Sequence, residues 1–112
     1  MSRYLISFDD GWMDFPESEL PAAAEDAHRV LREAKAAGVW ITGGGLQSQQ
    51  ARVVDTDGRV TPGPFPETKA VLGGFVILEL SSMDEADKWA AKFAKACRCK
   101  QEIRVMMDDP EV

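Results

Sequence analysis

Apolar and polar residues alternate with a period of two from position 3 to 8. Tyr4, Ile6 and Phe8 stand against Leu5 and Ser7, which predicts a strand. Beyond an Asp- and Gly-rich loop carrying Trp12 and Phe15, the period lengthens. Ala23, Ala27, Val30, Leu31 and Ala34 recur at helical spacing, with Pro21 in the first turn and Gly38 as the cap. Residues 39–42 (Val-Trp-Ile-Thr) predict a second strand, closed by Gly43-Gly44-Gly45. Residues 51–54 and 59–61 predict a hairpin around Asp55-Thr56-Asp57-Gly58, because Asp-Gly supplies the turn chemistry. Residues 75–80 form the strongest strand in the chain. Ser82 and Glu85 then compose a capping box opening a helix striped with Ala86, Trp89, Ala90, Phe93, Ala94 and Cys97. Residues 101–107 predict a closing strand. The order β-α-β, hairpin, β-α-β is an α+β, ferredoxin-like split βαβ with an antiparallel sheet.

Two helices cover one face of such a sheet. Yet the strand 75–80 is apolar on both, with Val76, Leu78 and Leu80 on one face and Phe75 and Ile77 on the other. The last strand repeats this, Ile103, Val105 and Met107 lying opposite Met106. An uncovered apolar face predicts a homodimer packed sheet against sheet.

Composition narrows the function. A chain of 112 residues with 45% hydrophobic and 29% charged residues predicts one globular domain spanning 1–112. Its short apolar runs exclude a membrane-spanning helix, and an early acidic N-terminus without a signal-peptide pattern predicts a cytoplasmic protein. A net charge of −6 argues against nucleic acid. The basic group Lys92, Lys95, Arg98 and Lys100 lies in and after a helix that starts with Asp84 and Glu85, a distribution the helix dipole explains. Cys97 and Cys99, with a single His, fall short of a tetrahedral metal site, and their place at a helix C-terminus is wrong for a redox pair. Gly43-Gly44-Gly45 is followed by neither Lys-Ser/Thr nor a helical stripe, so it reads as a turn or bulge allowing close backbone approach rather than a phosphate loop. No cofactor and no metal are implied.

The densest punctuation is Pro62-Gly63-Pro64-Phe65-Pro66-Glu67-Thr68-Lys69, closely followed by Leu72-Gly73-Gly74-Phe75. Proline lacks an N–H and glycine resists ordering, so the first stretch predicts a shaped loop, the kind of segment that carries function. With Ala36-Ala37-Gly38, Gly43-Gly44-Gly45-Leu46, Asp84-Glu85-Ala86, Trp89-Ala90 and Ile103-Arg104-Val105 in that order, the chain resembles the DGPF-domain (YCII-related) family along nearly its whole length. The resemblance implies a ferredoxin-like dimer forming an α+β barrel, with a cleft near the glycine turn and the signature loop. It also implies lyase-like chemistry on hydroxylated aromatics through a His–Asp pair. Two positions depart from the pattern: Pro62 replaces the Asp that opens the motif, and Gly44 replaces a frequent Glu. The single histidine, His28, lies in the first helix as in relatives, in an offset register.

Candidate site residues follow. An imidazole with the ordinary pKa near ~6.5 suits proton transfer at neutral pH. His28, Asp9 and Glu67 are the candidate proton carriers, and Asp10 shares the strand end with Asp9. Lys69, Arg104 and Arg52 are candidate anchors for a polar ligand, an arginine fork being suited to carboxylates and phenolates. Gly45 and Phe65 border the expected cleft. Against these roles, Glu67 and Lys69 also suit an ion pair pinning the loop, the arginines suit a solvated sheet face, and Trp12 and Trp40 suit packing. The chain therefore reads as a small-organic-molecule binder with possible lyase- or hydrolase-like chemistry. The competing reading is a non-catalytic dimeric module for protein interaction.

Overall fold

A computed structural model describes residues 1–47, 51–62 and 72–112. Its elements are β1 (Ser2–Asp9), α1 (Leu20–Ala36), β2 (Trp40–Gly45), β3 (Arg52–Val54), β4 (Val60–Pro62), β5 (Leu72–Leu80), α2 (Met83–Cys97) and β6 (Glu102–Val105). The main sheet runs β2-β5-β1-β6 with antiparallel neighbours throughout, and β3 pairs with β4 in a separate two-stranded sheet. The β1-α1-β2 crossover leaves a gap that β5 fills, and β6 returns to the far side of β1. That is the ferredoxin-like α+β fold.

Local chemistry sets the element ends. Proline occupies the first turn of α1, and Gly38 follows the helix at φ 75°, a conformation open to a residue without Cβ. The Ser82 side chain accepts the Glu85 N–H at 3.2 Å to open α2. In the hairpin, Gly58 takes φ 86° and the Asp55 N–H donates to the Arg59 carbonyl at 2.8 Å.

Two boundaries differ from those the pattern predicts. The glycines at 43–45 do not close β2 but belong to it, pairing with Val76, Phe75 and Gly74 of β5. A Cβ at Gly43 would lie 2.6 Å from Val76 Cα, so glycine serves the expected close backbone approach there, within a strand rather than a turn. The last strand ends at Val105 rather than 107. The Met106 N–H still donates to the Arg3 carbonyl, but Met107 is 90% exposed.

The core lies between the helices and one sheet face. Tyr4 and Ile6 of β1 and Leu78 and Leu80 of β5 pack with Val30 and Ala34 of α1 and with Ala86, Ala90, Phe93 and Ala96 of α2. Side chains alternate across a strand, so Leu5, Phe75 and Ile77 take the opposite face. Leu5 and Ile77 are half-buried there, whereas Ser7 on the same face is buried and Phe75 also borders a cavity beneath α1. No helix among the described residues is long and apolar enough to cross a membrane.

Candidate functional site

The α1 stripe does more than fill the core. Leu20, Ala23, Ala24, Ala27, His28 and Leu31 line one wall of a cavity of about 380 Å³. These positions recur every three or four residues, so they form a continuous face. Three of them are alanine, too small to reach the sheet beneath, and interiors are otherwise filled to near-crystalline density. The floor is Ile6, Phe8, Trp40 and Val76, and Gly44 and Gly45 bring bare backbone to the rim. Volume and apolar lining match a small-molecule site.

Polar groups enter at a few places. Asp10 comes from the turn after β1, His28 from α1, and Cys97 and Gln101 from the end of α2 and the segment beyond. His28 is exposed overall and so sits at the cavity's edge. Asp10 opens a short 3-10 turn, Asp10–Trp12, capped by Asp9, whose Oδ1 accepts the Gly11 N–H at 2.8 Å.

The glycine pair of β5 explains how that turn fits. A Cβ at Gly73 would fall 2.5 Å from the Phe8 ring and 3.0 Å from Asp10 Cα. One at Gly74 would fall 2.9 Å from the same ring. Leu72-Gly73-Gly74-Phe75 therefore makes room for an aromatic floor and for the backbone that carries Asp10. The β1–β5 register shifts at Phe8/Asp9, where this crowding occurs.

The thiols are set against nucleophilic work. Burial pushes the Cys97 thiol up, with Arg98 pulling weakly the other way. Burial, then the neighbouring Cys97, push Cys99 up to about 11 against a hydrogen bond from Gln101. Both stay protonated near neutral pH, and the thiol is a poor nucleophile. The other described titratable side chains on the cavity are His28 and Asp10. Among the described residues no group of three His, Cys, Asp or Glu side chains is placed to hold a metal ion.

The predicted site residues part company. His28 and Gly45 line the cavity. Asp9 acts as the turn's cap, and its neighbour Asp10 is the carboxylate on the wall. Arg104 does not line it: its position pairs with Leu5, on the face away from the helices, and its guanidinium binds Glu102 at 2.6 Å. Arg52 is exposed on β3 and does not line the cavity either. Glu67, Lys69 and Phe65 lie outside the described residues. Sequence reasoning missed Met13 and Gln101 as lining residues. Asp10 carried a faint signal, two positions past the last floor residue of β1; Gln101 carried none.

A model of the YCII-related domain matches residues 12–102. Among solved structures, the chain is similar to a 5-chloro-2-hydroxyhydroquinone dehydrochlorinase (TftG) from Burkholderia phenoliruptrix AC1100, in complex with 2,5-dihydroxybenzoquinone. The match covers 97% of each chain with a TM-score of 0.54 and 17% identity, a likeness of fold. No curated protein matches.

Proposed function

The chain belongs to the YCII-related family, and on that premise we propose that it binds a small hydroxylated ring compound in the α1 cavity and acts on it by proton transfer. The observation that carries this reading is the joint presence of His28 and Asp10 on one apolar cavity of about 380 Å³. An imidazole there accepts a proton from a ring hydroxyl or an acidic ring C–H. A carboxylate lining the same cavity favours the imidazolium that results. The flat walls of Phe8 and Trp40 suit an aromatic face. The dehydrochlorinase of the same fold carries a dihydroxybenzoquinone, which supports a ring of this size as the ligand class.

The test begins with thermal shift against hydroquinone and 2,5-dihydroxybenzoquinone. A ligand at ~100 times its Kd stabilises the fold by about 2.7 kcal/mol. Chloride release from 5-chloro-2-hydroxyhydroquinone then assays turnover. Replacement of a general base costs on the order of 10²–10⁴ in rate, so His28→Ala should lose turnover while still binding the ring. Asp10→Asn should lower turnover less. Unchanged turnover in His28→Ala sinks the proton-transfer role.

A homodimer through the far sheet face belongs to the same proposal, supported by Leu5 and Ile77, paired and half-buried on the face opposite the core. The protein-interaction reading is favoured by one observation, the exposed Val53, Val54 and Val60 of the hairpin. Absence of any ring binder, with the dimer intact, would move the weight there.

A further inference from the structure

The segment 97–101, Cys-Arg-Cys-Lys-Gln, divides its side chains between two tasks. Cys97 and Gln101 line the cavity, while Arg98 and Lys100 reach the loop that bears its Asp10 wall. Arg98 takes a left-handed conformation (φ 59°, ψ 33°) just past α2. From there its guanidinium donates to the Ala96 carbonyl at 2.8 Å and to Asp26 Oδ2 at 3.2 Å. Its Nε lies 3.9 Å from Glu19 Oε2, and the group sits 6.0 Å from the Phe15 ring centroid. Lys100 Nζ lies 4.6 Å from the Trp12 ring centroid. The aromatic and acidic partners at 12, 15 and 19 all belong to the stretch between Asp10 and Leu20, whose Asp10, Met13 and Leu20 face the cavity.

We infer that Arg98 and Lys100 form an electrostatic clasp that positions the Asp10–Leu20 wall of the cavity. Exposed ion pairs contribute little. Here, however, one guanidinium, its side chain 31% exposed, reaches two carboxylates and an aromatic ring together, and Arg is suited to such joint contacts. Asp26 is shared with Arg29 at 2.8 Å, so the network continues along α1. The left-handed backbone of Arg98 caps α2, its N–H donating to the Ala94 carbonyl, and the helix dipole accounts for a cation there; neither accounts for a guanidinium turned back towards Glu19 and Phe15. The consequence for binding rests on the cavity being the ligand site: an uncharged ligand should feel ionic strength through the wall, not through its own charge.

The experiment uses the full chain and reads amide hydrogen exchange without ligand. In wild type, exchange across residues 11–20 should quicken several-fold between about 0.02 and about 0.5 M NaCl, as screening shortens. In Arg98→Met/Lys100→Met it should be about tenfold faster at low salt and insensitive to added salt, while the Phe93 amide stays protected. Arg98→Lys, which keeps the charge but loses the fork, should fall between. Hydroquinone affinity by calorimetry should weaken about tenfold in the double variant. Unchanged exchange across 11–20 overturns the clasp. Faster exchange with unchanged hydroquinone affinity overturns its positioning role. If wild type binds no hydroquinone, the ligand reading fails, and exchange still decides the clasp.

Discussion

On the helix-covered face of the sheet, Tyr4 and Ile6 of β1 and Leu78 and Leu80 of β5 are 6, 1, 0 and 0% exposed. One residue along each strand, Leu5 and Ile77 are paired side by side and only half-buried. The spacing is the same on the two faces, but the far face interleaves Leu5, Phe75 and Ile77 with Arg3, Ser7 and Glu79, and among the described residues it lacks the helical second layer. α1 and α2 close one face into a core, and the other keeps an apolar centre between Arg104–Glu102 at the β6 edge and Thr42 on β2. Alternation in a strand tells which residues share a face, and a covering layer decides which face becomes an interior.

The largest effect should come from the covered face. Leu78→Ala leaves a cavity where exposure is zero, and such a change costs about 2–5 kcal/mol in chemical denaturation. Ile77→Ala should cost clearly less in a monomer. The sharper contrast is oligomeric: Ile77→Asp should shift a dimer to monomer in sedimentation while leaving the monomer folded. A mutant that remains dimeric rules out this face as the interface.

A smaller effect falls at the cavity beneath α1. Gly73→Ala drives a methyl into the Phe8 ring and the Asp10 backbone, and overpacking of this kind costs about 1–3 kcal/mol. Ring-compound affinity should fall with it. Gly44→Ala, whose Cβ meets nothing within 4 Å, should be tolerated. Equal losses in both would mean that β-strand glycine as such, not space for Phe8 and Asp10, is what matters.

The smallest effect is alkaline. Cys99 is raised from 9.0 to about 11 in the folded chain, so the folded state holds its proton more tightly than the unfolded chain. Stability is then fully present below pH 9 and declines as pH rises towards 11. Cys99→Ser should flatten this part of the Tm-against-pH curve. At neutral pH, both thiols should alkylate more slowly than a free cysteine.

Much of the fold was legible because its signals are local. The Ser82–Glu85 box, Pro21 and Gly38 around α1, and the Asp57-Gly58 turn each act within a few residues, where steric and hydrogen-bond rules apply directly. Gly43-Gly44-Gly45 was legible as a place of close backbone approach, which Gly43 makes against β5, but not as part of β2, because three glycines resemble a turn in isolation. Arg104 stayed open between an anchor and a solvated sheet face for a related reason, since its face depends on pairing with Leu5, and pairing is a long-range fact.

The covered stripe, the two-faced strand and the split βαβ order follow from periodicity, which the chain carries in itself. The cavity follows from tertiary packing. Alanines in α1 leave space only because β1 and β5 lie at a fixed distance beneath them. Asp10, His28, Cys97 and Gln101 meet only because the first strand's end, the first helix and the last helix's end converge at one end of the sheet. Periodicity specifies which residues share a face of an element; which faces meet, and what space remains between them, depends on contacts that no local pattern encodes.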